Sequence, residues 1–508
     1  MLTRFSTPPL LWLAAFTVST CAFAQQGVQP GSEPSEIAPE GSTSSEESWR
    51  PIVQGRLPNG LRYAILPRAS NEPGVAIRMR VKGGFLAEHR PGERGLAHLI
   101  EHLAFASSTR SAPDQIRRFR QVGFPLSLPS PAGGTTTWRE SDYHVVSRTN
   151  QTADLDVLLG LYREVASELL FPAHIVDEQR GTVMREMADK RLGNDIHAGL
   201  IAAIAPGSPT DLIDAQNSDD VPTASPDAVR ELYQRLYRPE NTTIVIVGDV
   251  DPVEIVKLID RQFGDWQGEG PAPEQPHVPT FDNSGTAPVS HSAIRYAREG
   301  ATFTLTMPYE PVMSRASQAE ADLLDLLMMR AISNRLAAGR EAYPPGSYGF
   351  FIENGANNFR FLIMWDDFVP GKWREASANL MQTACDIGQT GFTETEWAAA
   401  KQSLIAELEQ RASRANEAAN FDLALQLANA TTLDRDLLPP GEMLAVARSL
   451  LPGLDASEGR KWWLNQRAAG TAHLRVTTDE FAVEKDPDLA IRKVIDDAVS
   501  EEACRVAR

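Results

Sequence analysis

The sequence predicts an α+β fold made twice over, and three observations carry that prediction. A chain of 508 residues with 42% hydrophobic content is long enough for two or more domains with cores of their own. A stretch rich in proline and glycine, GEGPAPEQPHVPTFDNSGTAPVS at residues 268–290, divides it into parts of similar size and reads as a linker. On both sides of that break strand-like and helix-like segments mix in a comparable way, without a strict sequence repeat.

The elements follow in order. LRYAILP and GVAIRMRVKGG are strands, because β-branched and aromatic residues fill them and Gly or Pro bounds them. A short helix around HLIEH comes next, then the strand SDYHVVSRT. In LDVLLGLYREVASELL the residues Leu155, Leu158, Leu159, Tyr162, Val165, Ala166 and Leu169 recur at helical spacing. TTIVIVGDV is a buried strand and PVEIVKLIDRQFGDW a helix. Past the linker ATFTLTMPY is a strand, residues 315–340 form a long apolar-striped helix, and YGFFIE and FRFLIMW are two further strands. Thr393 and Glu396 make a capping box that opens the helix TETEWAAAKQSLIAELEQR.

The ends of the chain set its surroundings. Residues 1–24 carry one positive charge at Arg4, an apolar run from Leu10 to Val18, and Ala22-Phe23-Ala24, which together read as a secretory signal cleaved after Ala24. The run is too short to span a bilayer, and no later segment approaches 18 uninterrupted apolar residues. A periplasmic or secreted protein without a transmembrane segment is the expectation. Residues 25–48 are rich in Gly, Pro, Ser and Glu and read as a solvated tether. The domains are then expected at 49–267 and 291–508. Cys385 and Cys504 either pair or stay free; two cysteines make no disulfide framework, and their spacing suggests no metal site. A formal charge of −18 without a basic stripe argues against nucleic acid.

The chemistry lies in GLAHLIEHLAF, residues 95–105. On a helix, His98 and His102 project from one face a turn apart and can aim at one metal ion, with Glu101 on nearly the same face. This is the H-x-x-E-H order, the inverse of H-E-x-x-H. A catalytic zinc needs three protein ligands and an open position, and a carboxylate beside that position can take a proton from water. A third ligand should come from another helix, and DEQRGTVMREMADK offers Glu178 and Glu186.

With LPNGLRYAIL, GERGLAHLIEHLAF, QRGTVMREM and LYRPENTTIVIVGDVDPVEIVKLIDRQFGDW in this order, the chain resembles the inverted-zincin peptidases. These include pitrilysin, insulin-degrading enzyme and the mitochondrial processing peptidases, and the chain looks like a half-size bacterial-type member. The resemblance runs from about residue 52 to the end. It implies one zinc ion per chain, held by His98, His102 and Glu186, with Glu178 as the fallback ligand and Glu101 as general base in peptide hydrolysis. It implies two similar α+β domains, a zinc domain and an inactive homologous one, forming half of a clamshell chamber. A chain of this length would gain the other half by dimerising, with itself or with another half-size subunit. Arg340 and Tyr348 in GREAYPPGSYGF resemble the arginine and tyrosine on the family's partner-domain wall, with one extra residue between them, and would steady the substrate or the oxyanion. Where relatives carry an Asn-Ala-x-Thr-Ser strand along the cleft, this chain reads GGTTTWRESDY, so Gly133 stands at the asparagine position. A catalytically silent partner subunit or scaffold is the competing expectation, and a broken HLIEH would have favoured it.

Overall fold

Period-two alternation in the strands sets the layering of the first half. A computed structural model describes residues 49–69, 74–104, 106, 108–110, 132–137, 139–190, 219–270, 289–292, 299–309, 314–338, 347–354 and 359–499. Its first sheet comprises β1 (Val53–Arg56), β2 (Arg62–Pro67), β3 (Val75–Lys82), β4 (Ala132–Thr136), β5 (Glu140–Ser147) and β6 (Thr242–Gly248), in the spatial order β1-β2-β6-β3-β5-β4. β2 and β6 run parallel, and the other neighbours are antiparallel. One face carries Ile65, Val75, Ile77, Met79, Val81, Tyr143, Val145, Ile244 and Ile246. It packs on α1 (Leu96–Leu103), α2 (Thr152–Ser167), α3 (Ala173–Lys190), α4 (Pro226–Leu236) and α5 (Pro252–Phe263).

The second sheet repeats the plan. It comprises β7 (Val289–Ser292), β8 (Gly300–Pro308), β9 (Tyr348–Asn354), β10 (Phe359–Asp367) and β11 (Thr471–Thr477), ordered β7-β11-β8-β10-β9. Its parallel pair is β7 with β11, and the rest are antiparallel. Element for element this is the first sheet without β1, which is the duplication the composition suggested. Its helices are α6 (Arg315–Ala337), α7 (Trp373–Gln389), α8 (Glu394–Ser413), α9 (Asn420–Thr432), α10 (Pro440–Leu450), α11 (Ala456–Ala469) and α12 (Pro487–Ala498). The capping box at α8 is present in both directions, Thr393 N–H to Glu396 at 2.8 Å and Glu396 N–H to Thr393 Oγ1 at 3.2 Å.

One feature departs from a simple chain of two domains. α9, from the second half, covers the outer face of the first sheet, where Leu423, Ala424, Leu427 and Ala428 meet Ala64, Leu66, Ala76, Val245 and Val247. Burial on both faces explains why TTIVIVG is an unbroken apolar run rather than an alternating one. Charge fills the rest of this layer. Asp142 takes Arg78 at 2.6 Å and Arg80 at 2.9 Å, and Arg80 reaches on to Asn429 at 2.8 Å. Burial alone would raise the Asp142 carboxyl, but the two guanidinium groups hold it well below the usual carboxylate range. Arg68, fully buried, donates to the carbonyls of Ala415, Asn416 and Ala418 just before α9. The halves are therefore interlocked.

β7 starts at Val289, two residues inside the stretch that composition assigned to the linker, because Val289 pairs with Leu474 and caps the second core. Cys385, on α7, is disulfide-bonded, while Cys504 lies outside the described residues, as do residues 1–48 and Arg340. Among the described residues no helix is long and apolar enough to cross a membrane.

Candidate metal centre

Helix α1 divides cleanly by face. Leu96, Leu99, Ile100 and Leu103, at i, i+3, i+4 and i+7, are buried in the first core. His98, Glu101 and His102 occupy the other side, toward β4 and α3. On α3 the residues Val176, Val183 and Met187 enter the same core, and Glu186, next to Met187, is turned toward the histidines.

The entry to α1 is built with care. Gly95 precedes the helix in a left-handed conformation, φ 87°, which a side chain would strain. No side chain of the cap residue itself satisfies the first N–H groups; Glu88, buried, accepts from Gly95 N at 2.8 Å and Ala97 N at 2.7 Å. Burial pushes the Glu88 carboxyl up to about 8, against the lowering effect of those two N–H groups. Arg235 clamps Glu93 through two contacts of 2.7 Å. The histidine-bearing turn is thus pinned from its N-terminal side.

His98 Nε2 and His102 Nε2 are 3.3 Å apart, with rings edge to face. Glu186 Oε2 lies 3.1 Å from His102 Nε2, and Glu186 Oε1 lies 3.7 Å from His98 Nε2. Two imidazoles and a carboxylate at these separations suit zinc, because bonds of 2.0–2.2 Å in a tetrahedron set ligand atoms roughly 3.3–3.6 Å apart. Among the described residues these three form the group of His, Cys, Asp or Glu whose donor atoms gather within 4.8 Å. His98 is buried, and the Glu186 side chain is 35% exposed, so the group opens toward solvent on the α3 side.

Of the sequence candidates, then, His98, His102 and Glu186 come together, with Glu101 on the same helix. Glu178 is exposed, two turns back along α3, and outside the group. Tyr348 begins β9, an edge of the second sheet, half-buried against the second core rather than in this group. Gly133 lies on β4 opposite His144. Sequence reasoning passed over Glu88, Gly134 and Thr136. A run of three threonines beside a predicted cleft strand was the one available sign of the last.

Residues 63–196 match the family model described as Insulinase (Peptidase family M16), and residues 223–404 match the Peptidase M16 inactive domain. The chain belongs to the M16 peptidase family. Among relatives of this M16 chain, the Escherichia coli protein described as "Probable zinc protease PqqL" is 24% identical over 445 residues, covering 85% of this chain and 47% of that protein. The M16 chain therefore spans about half the length of that curated relative. The crystal structure of the periplasmic protease PqqL from Escherichia coli aligns with a TM-score of 0.71 at 22% identity, over 90% of this chain and 50% of that one. The structure of the first half of the same protease aligns with a TM-score of 0.70 at 24% identity, over 89% and 97%. These similarities show the duplicated fold of an M16 half.

Proposed function

We propose that this protein is a zinc-dependent endopeptidase acting on peptides or small unfolded polypeptides outside the cytoplasm. The observation that carries the reading is the convergence of His98, His102 and Glu186 at zinc-ligand separations, with Glu101 one residue before His102. His98, His102 and Glu186 are assigned to hold one zinc ion per chain. Bound there, zinc would supply Lewis acidity toward the scissile carbonyl and water.

The remaining steps belong to the chain. Glu101 accepts a proton from the attacking water on its carboxylate and returns it to the leaving amine nitrogen. β4 closes one edge of the described sheet next to Glu101, where an extended peptide backbone can pair with it. Tyr348, and Arg340 beyond the described residues, are assigned to steady the substrate or the developing oxyanion. A half-length M16 chain is proposed to complete its chamber by dimerising, with itself or with another half-size subunit. Three features support a periplasmic or secreted setting: the signal-like start, the disulfide at Cys385, and the periplasmic location named for the Escherichia coli structure.

The test pairs metal analysis of protein beginning at Gln25 with cleavage of a mixed peptide library. Wild type should carry about one zinc per chain and cleave. Glu101→Gln should keep zinc and fold while hydrolysis falls by about two orders of magnitude or more. A correctly assembled, zinc-loaded wild type that cleaves no peptide would return the protein to the silent-subunit reading.

A further inference from the structure

General-base chemistry needs a carboxylate whose orientation is fixed, and β4 supplies two contacts that bear on Glu101. Thr136 Oγ1 donates to Glu101 Oε2 at 2.9 Å. A Cβ added at Gly134 would lie 2.8 Å from Glu101 Cγ and 2.9 Å from Oε1, so the side chain rests on bare backbone. Behind Thr136 stands a row of buried hydroxyls. Ser141 Oγ is 3.3 Å from Thr136 Oγ1, and nearby Tyr143 shares a short hydrogen bond with Tyr237. All four residues are at most 5% exposed.

The direction of donation along this row follows from counting protons. An ionised carboxylate only accepts, and each hydroxyl has one proton to donate. Thr136 commits its proton to Glu101 and so accepts from Ser141. Two donors in line onto a carboxylate polarise each other in the same sense.

We propose that Thr136, backed by Ser141, is a positioning residue for Glu101 that holds Oε2 against β4 and so fixes the direction in which the carboxylate faces the reacting groups. Gly134 is the second part of the device, because any side chain there would push the carboxylate out of this seat. The inference rests on the reading of Glu101 as general base for its catalytic consequence, though not for its geometry.

Two measurements on the full mature protein test it. Crystal structures of wild type, Thr136→Val and Thr136→Ser report the seat of Glu101 whether or not peptide is cleaved. Glu101 should keep one rotamer against Gly134 in wild type and Thr136→Ser, and should leave it in Thr136→Val. In the peptidase assay, Thr136→Val should lower kcat at least about tenfold, the scale of a lost hydrogen bond to a charged group. KM and zinc content should be nearly unchanged, and Thr136→Ser should restore most of the rate. Gly134→Ala should act like Thr136→Val. An unmoved Glu101 in Thr136→Val overturns the inference. So does an unchanged kcat in that variant under conditions where Glu101→Gln is inactive. A wild type that cleaves nothing sinks the peptidase reading instead, and the crystallographic comparison still decides the positioning role.

Discussion

The two sheets share one strand order, yet their neighbouring helices bring different chemistry to the same place. In the first half α1 packs beside β4 and turns His98, Glu101 and His102 away from the core. In the second half α6 packs beside β9 and contributes buried Leu327, Met328, Ala331 and Ile332. The second helix after it brings a carboxylate in both halves. Glu186 stands as far from the start of α3 as Glu407 does from the start of α8. Glu186 meets two imidazoles, whereas Glu407 meets the guanidinium groups of Arg330 and Arg411. A duplicated scaffold thus supplies a place for a charged group twice, and what faces the carboxylate decides between a metal-compatible group and an ion pair.

The comparison can be broken most severely at the histidines. His98→Ala and His102→Ala should each lose zinc and more than about 100-fold of any peptidase rate, with both sheets intact by circular dichroism. Metal retained in both variants would dissolve the distinction between the halves.

A smaller effect concerns how the halves are joined. Asp142→Asn leaves Arg78 and Arg80 buried without their carboxylate, under the helix that the second half lays on the first sheet. Breaking a buried pair in this way should cost about 3–5 kcal/mol, read from urea unfolding. One unfolding transition is expected, because the halves interlock; two separated transitions would mean that they fold independently.

The smallest effect lies in the second sheet, which also holds a histidine. His473 on β11 is 1% exposed, with neither ring nitrogen hydrogen-bonded. Burial lowers its pKa to about 3, and Arg475 adds to the shift. The unfolded chain, with an ordinary histidine, takes up a proton first, so this contribution to stability is full above about pH 6.5 and is lost as the pH falls toward 3. His473→Leu should raise stability by about 1 kcal/mol or more and flatten the acid limb between those values. An unchanged acid limb would remove His473 as its source.

Much of this was legible in the chain. Alternation and bounding glycines placed β2, β3, β5 and β6, and the HLIEH spacing placed two imidazoles and a carboxylate on one helix face. The choice between Glu178 and Glu186 was not legible in the same way, because both lie on α3 and only the packing of Val183 and Met187 sets which one turns toward α1. The covering of the first sheet by α9 was hidden because the apolar stripe in NFDLALQLANATT marks a face to be buried without marking the surface that buries it. Thr136 was hidden for a different reason. Its role depends on the β4–β5 register, which sets it opposite Ser141 and sets Gly134 opposite Tyr143.

The most direct test is zinc stoichiometry across three glutamates in purified, metal-loaded protein. Wild type, Glu178→Gln and Glu407→Gln should each hold about one zinc per chain, and Glu186→Gln should hold none after dialysis. Zinc retained by Glu186→Gln and lost from Glu178→Gln or Glu407→Gln would contradict the account, because the carboxylate that faces the two histidines would then not be the one that holds the metal.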